Sequence, residues 1–248
     1  MTDGAKGIGA AIVRACAAES AKVVIVDRDA EHGEKLQAEF SSGGNCSLVL
    51  ADLGAEESCS QAVEQAVGYS GKLDALVNNV GVNDKVGLEH GNPNDYLGSL
   101  QRNLVHYYSM AHLCPAAFEG LKRVDCKYRF EDGVTGQGGT SGYASSKGAI
   151  MALTREWAVE LLPYGIRVNP VVPAEVTTPL YKQWLNTFPD PDEKLRTITS
   201  KIPLEKRMTT AEEVAATTVF LISSRSSHTT GQQLFVDGGY VHLDRGST

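Results

Sequence analysis

Apolar positions along the chain switch repeatedly between two periods. Residues 8–19 set Ile8, Ile12, Val13 and Cys16 along one side at helical spacing, and 22–27 (KVVIVD) is a short β-branched apolar run. The alternation continues with a helix over 30–39, a strand over 46–51, a helix over 55–69 and a strand over 73–77. A long helix is expected from 94 to 118 and another over 142–162. A strand over 166–172, a helix over 210–223 and a strand over 232–236 follow. Strands apolar on both faces, separated by helices, predict an α/β fold: a doubly wound parallel sheet with right-handed crossovers. No repeat or linker interrupts the pattern, so one domain over 1–248 is expected. The long irregular stretch 174–205, with Pro179, Pro189, Pro191 and Pro203, reads as a substrate lid.

Composition narrows the classes. The 248 residues carry 23 Lys+Arg against 30 Asp+Glu, a net charge of −7. That balance argues against coating a nucleic acid, which needs a basic surplus, but leaves room for a small anion held by backbone N–H groups. No apolar run reaches the length of a membrane span and no signal peptide opens the sequence, so a soluble cytoplasmic protein is expected. Cys16, Cys46, Cys59, Cys114 and Cys126 are scattered, without metal-ligand spacing, and read as idle thiols in a reducing compartment.

Two motifs carry chemistry. Gly4, Lys6, Gly7, Ile8 and Gly9 form a glycine-rich loop that opens a helix, and the next strand ends in Asp27. Glycines let the backbone approach a pyrophosphate at the helix N-terminus, and an acid about 20 residues on accepts hydrogen bonds from ribose hydroxyls. Asp27 repels a 2′-phosphate and so favours NAD. Lys6 and Arg28 are basic residues that a 2′-phosphate would use, so NADP stays open. Further on, Tyr143 and Lys147 stand four apart on one helical face. A cation beside a phenol favours the phenolate, which suits Tyr143 to general acid/base work on an alcohol/carbonyl pair.

These motifs, in order with Asp52, Asn78-Asn79-Val80-Gly81, Asn103 and Pro173-Ala174-Glu175-Val176-Thr177-Thr178, resemble the short-chain dehydrogenase/reductase family over nearly the whole chain. The resemblance implies a Rossmann-like sheet and a nicotinamide cofactor. It implies that Tyr143 exchanges the proton, that Lys147 holds the nicotinamide ribose and tunes Tyr143, and that Asn103 positions a relay water. It also implies that Asp52 and Leu53 meet the adenine, Asn79 and Gly81 line the cofactor, and Val176 and Thr178 meet the carboxamide. Within the family, Asn83-Asp84, the run Arg102–Tyr108, Val134–Tyr143, Leu153–Ala158, Pro173–Glu175 and the tail Phe235–Arg245 resemble bacterial L-fucose dehydrogenase-like sugar dehydrogenases. That implies oxidation of an aldose at its anomeric hydroxyl to a lactone, with Gln137, Glu175, Tyr181, Trp184 and His242 around the sugar. A homotetramer is implied as well. A 3-oxoacyl or small-ketone reductase using NADPH is the alternative, and a catalytically impaired dinucleotide-binding protein is another.

Three departures stand against the family pattern. Asp3 occupies a glycine position of the loop, where a side chain is crowded and a carboxylate repels the pyrophosphate. The apolar first strand that the pattern places before Thr2 is expected to be truncated. The slot of the catalytic serine holds Phe130, inside a run, 123–133, too charged for a central strand. Thr135, Thr140 and Ser141 are the nearby hydroxyls. Codons exist for 123–133 whose one-base shift reads Gly-Ser-Ile-Val-Asn-Ile-Gly-Ser-Lys-Thr-Ala, an apolar strand ending in serine; the expectation is a compensated frameshift.

Overall fold

A computed structural model describes residues 1–41, 43–117 and 133–243. Helix α1 (Gly7–Ala18) leads into β1 (Val23–Asp27), α2 (Ala30–Ala38), β2 (Cys46–Leu50) and α3 (Glu56–Ser70). Then come α4 (Pro93–Leu100), a π-helical turn (Gln101–Val105), α5 (His106–Ala117) and α6 (Ser141–Glu160). The last part holds β3 (Val171–Pro173), β4 (Val176–Thr177), α7 (Pro179–Leu185), α8 (Pro191–Thr199), β5 (Thr209–Thr210), α9 (Ala211–Ile222) and β6 (Leu234–Val236). Phe130, Cys126 and the charged run up to residue 132 lie outside the described residues.

The sheet is double-faced, as the apolar runs require. In β1 every residue is buried. Val24 and Val26 join a core with α3, α5 and α6, while Val23 and Ile25 join a second core with α1 and α9. Alternate residues of a strand point to opposite faces, so one five-residue strand anchors both helix layers. The described ladders are all parallel: β1 with β2, β3 with β6, and β4 with β5. Helix α9 starts on a reciprocal capping box between Thr210 and Glu213. No helix among the described residues is long and apolar enough to cross a membrane.

Residues 73–77 differ from expectation: they form no assigned strand. A strand is assigned by its ladder, and the neighbouring position holds only Met1–Asp3. Thr2 bridges β1 at Val26 and donates its N–H to the Val77 carbonyl. Beyond Thr2 the position between β1 and 73–77 is a cavity of about 660 Å³, lined by Met1, Val24, Val26, Leu76, Val77 and Cys114 among others. The strand expected over 166–172 is likewise shifted to Val171–Pro173, although 166–170 are all buried. The 174–205 stretch is less irregular than its prolines suggest. Pro179 and Pro191 sit in the first turns of α7 and α8, where a missing N–H costs nothing.

Candidate cofactor and catalytic site

The glycine loop is shaped for close approach. A Cβ on Gly9 would lie 2.0 Å from the Asp3 carbonyl oxygen, and Gly7 has φ +54, which favours glycine. Thr178 packs on this loop: a Cβ on Gly7 would meet its methyl at 3.5 Å. Val176 is buried in β4 directly before it. Asp27, at the end of β1, is buried and accepts from the N–H groups of Ala5 (2.9 Å) and Asp29 (3.0 Å). It therefore fixes the loop it was expected to serve. Ile8 and Gly4 are buried beneath.

Lys6 is engaged: its ammonium pairs with Asp29 at 2.5 Å, which raises the pKa of Lys6 and holds the Asp29 carboxyl well below its usual range. Asp29, Asp27 and Asp3 thus all act on the Lys6 ammonium, with Arg28 exposed nearby. Asp3 has φ +50, the strain expected of a side chain at a glycine position. Its carbonyl and carboxylate accept from the Asn79 amide at 3.1 and 3.3 Å. The Thr2 hydroxyl accepts from the Asn79 backbone N–H at 2.9 Å.

A cavity of about 200 Å³ opens beside this loop, lined by Asp3, Asp27, Arg28, Asp52, Leu53 and His106 among others, with Gly81 at its edge. Its size and mix of apolar walls and carboxylates suit the adenosine half of a dinucleotide. Together with the Gly7–Gly9 cradle it fits such a cofactor; the carboxylate of Asp3 is the one element of the lining that opposes it.

On α6 the sequence-predicted pair comes together. Lys147 is 1% exposed and its Nζ lies 5.0 Å from the Tyr143 ring centroid and 5.3 Å from that of Tyr107. A Cβ on Gly81 would stand 2.8 Å from that Nζ, so glycine there admits the lysine. Asn103 is buried in the π-helical turn. Its side-chain oxygen accepts from the Val82 N–H at 2.8 Å and its amide donates to the Ser99 carbonyl at 3.1 Å. Asn103 therefore ties the loop bearing Gly81 to the helix. π-helical turns recur at functional sites. The Tyr107 hydroxyl donates to the Val80 carbonyl, fixing the same loop from below.

The sugar-facing candidates are spread more widely. Gln137 meets the Asn83 amide at 3.5 Å. Tyr181 and Trp184 on α7 stand edge to face at 5.1 Å, with Phe188 beyond and Lys194 of α8 over Trp184 and Phe188. Glu175 accepts from the Thr209 N–H through its backbone. His242 is exposed and stacks edge-on against Phe235, in the C-terminal segment. Sequence reasoning missed the Arg102–Asp84–Ser99 cluster, with contacts of 2.6 and 2.9 Å, and it missed His106. The four-residue spacing of Arg102 and His106 was the available signal.

Comparison with known proteins extends these observations. A family model described as enoyl-(acyl carrier protein) reductase matches residues 4–241. The chain is 35% identical over 243 residues to the L-fucose dehydrogenase of Oryctolagus cuniculus, covering 96% of this chain and 83% of that protein. Among solved structures it is similar to Cj0485 dehydrogenase, with TM-score 0.92 and 43% identity over 98% of this chain and 94% of that one. It is also similar to the 3-ketoacyl-(acyl-carrier-protein) reductase of Brucella melitensis complexed with NADH, with TM-score 0.83, 30% identity and coverage of 97% and 96%.

Proposed function

The chain belongs to the short-chain dehydrogenase/reductase family and is a nicotinamide-dinucleotide-dependent oxidoreductase, and from that premise we propose that it oxidises an L-fucose-like aldose at the anomeric hydroxyl with NAD. The observation that carries the chemistry is the buried Lys147 ammonium beside the Tyr143 ring, next to Gly81. The ammonium stabilises negative charge on the phenol, so Tyr143 accepts the proton of the anomeric hydroxyl as the carbonyl of the lactone forms. When bound, the nicotinamide supplies the acceptor for the hydride leaving that carbon. Lys147 holds the adjoining ribose, Val176 and Thr178 hold the carboxamide, and Asn79 and Gly81 line the passage between the two halves. Asn103 keeps that passage in place and positions the relay water. Asp52 and Leu53 hold the adenine.

The choice of NAD rests on charge. Asp27 and Asp52 line the adenosine cavity, and the Lys6 ammonium is already neutralised by Asp29. A 2′-phosphate would meet carboxylates there, with Arg28 alone to offset them. The sugar reading rests on Trp184 and Tyr181, whose faces suit a pyranose, on Gln137, Glu175 and His242, and on the likeness to the rabbit enzyme. Residues 174–205 act as the lid, in a single-domain protomer that assembles as a homotetramer in the cytoplasm. A second reading is reduction of a 3-oxoacyl thioester or small ketone with NADPH; the likeness to the Brucella reductase, solved with NADH, supports its substrate half alone. The Asp3 carboxylate on the pyrophosphate loop supports a third, an impaired dinucleotide binder.

The steady-state change in reduced nicotinamide separates them, rising as a sugar is oxidised with NAD and falling as a thioester is reduced with NADPH. Turnover of L-fucose with NAD, above that of acetoacetyl thioester with NADPH, is expected. The reverse preference overturns the sugar reading, and cofactor binding without turnover of either substrate supports the impaired one.

A further inference from the structure

The geometry points to His106 as the residue that reads the adenosine half of the cofactor, through a hydrogen bond accepted by its neutral imidazole. His106 opens α5 and lies one turn after Arg102, so both line the cavity with Asp27, Asp52, Leu53 and Val80. It is 2% exposed, and its Nε2 has no hydrogen-bond partner. Buried polar atoms in folded proteins are almost always satisfied, and an orphan beside a cavity marks where a ligand atom belongs. Burial, and then the Lys147 cation, push the imidazole pKa down to about 3. The ring is therefore neutral at working pH, and the backbone carbonyls of Val80 and Arg102 draw on its N–H, which leaves Nε2 as an acceptor for a ligand donor. A purine nucleoside presents such donors in its amino and hydroxyl groups. The ring also rests on Tyr107 at a centroid distance of 4.4 Å, which limits its freedom to turn away.

This inference rests on the dinucleotide reading above, so the test uses fragments of the cofactor. Calorimetric titration of ADP-ribose and of nicotinamide mononucleotide is run on the full chain and on His106→Phe. The variant removes the polar atom while keeping a ring against Tyr107. Its ligand-free melting temperature is expected to rise, because an orphan is gone, while ADP-ribose binding weakens about tenfold, the worth of one net hydrogen bond. Nicotinamide mononucleotide is expected to bind both proteins alike. Equal ADP-ribose affinity in the two proteins overturns the role of His106 and leaves the dinucleotide reading standing. No binding of ADP-ribose or NAD to the parent chain overturns both. Should His106→Phe fail to fold, the ¹⁵N shift of Nε2 in the parent chain decides: movement on adding ADP-ribose supports the contact, and no movement overturns it.

Discussion

Extending the chain by five apolar β-branched residues ahead of Met1 should stabilise it by an amount that the open position beside β1 sets. The 660 Å³ cavity runs between β1 and residues 73–77. Val23 donates its N–H toward β2 and Val26 donates toward Met1, so the Val24 N–H, sharing Val26's parity, faces the cavity. The Met1 ammonium, which donates to the Val24 carbonyl, is pushed below its usual pKa by burial. Five added residues span about 16 Å, the length of 73–77. Each buries a side chain worth about 1.5–3 kcal/mol and loses about 1.5 kcal/mol of conformational freedom. New ladder bonds add about 0.5–1.5 kcal/mol apiece. The net is about 5 kcal/mol, or roughly 10–20 °C in Tm for a chain of this size. Urea and thermal unfolding measure it, against a Gly/Ser extension of equal length, with hydrogen exchange at Val24 and Val77 as a local readout. A rise no greater than the control's, or unprotected Val24 and Val77 amides, refutes the reasoning.

Four further outcomes follow from the site. Asp3→Asn removes the carboxylate and Asp3→Gly also relieves the positive φ. Each should tighten NAD binding about fivefold to tenfold after solvent screening, and only the glycine variant should add about 1 kcal/mol of stability; unchanged affinity in a titration would remove the repulsion. Tyr143→Phe should keep the fold by circular dichroism and abolish turnover, and activity within about tenfold of the parent would sink the acid/base role. Replacing 123–133 by Gly-Ser-Ile-Val-Asn-Ile-Gly-Ser-Lys-Thr-Ala restores a hydroxyl donor and should raise kcat about 10²–10³-fold; equal rates refute its need. The folded pKa of His106, about 3, lies below the unfolded value near 6.5, so stability from its neutrality is full above pH 6.5 and lost as pH falls toward 3. At pH 5 that is about 2 kcal/mol, measured by urea unfolding, and His106→Phe should lose correspondingly less.

Sequence periodicity served well wherever an element makes its own structure. Helix α1 at Gly7–Ala18 and helix α9 at Ala211–Ile222 match the periods within a residue, because an apolar stripe and, in α9, the Thr210–Glu213 capping box are local properties. It failed where structure is lent by a neighbour. Residues 73–77 have the composition of a strand and no ladder, since pairing is decided by what lies alongside. The long helix expected over 94–118 is broken by a π-helical turn at Gln101–Val105, which periodicity at 3.6 residues does not register. In the site, Tyr143, Lys147, Asp27 and the glycines were legible because spacing along one element sets their geometry. The engagement of Lys6 by Asp29, the anchoring of Asn79 by Thr2 and Asp3, and the orphaned Nε2 of His106 depend on contacts between elements.

Those contacts also divide the site into two units with different sensitivities. The proposed cofactor unit, comprising the glycine loop, Asp27 and Asn79, hangs on Met1–Asp3 through Thr2 and Asp3. The proposed catalytic unit, comprising Tyr143, Lys147 and Asn103, is held by α6 and by the π-helical turn through Val82 and Ser99. Among the described residues the stretch they share is 78–82, where Asn79 belongs to one and Gly81 to the other, beside a cavity that Arg102 and His106 line with Asp3 and Asp27. Loosening or filling the open position beside β1 acts first on the loop that carries Asp3. A change there should therefore alter the dissociation constant of NAD more than the rate of the proton step at Tyr143. The N-terminal extension is expected to lower the KM for NAD with little change in kcat once cofactor saturates. A kcat that moves while KM stays fixed would mean that the two units are coupled more tightly than their shared five residues allow.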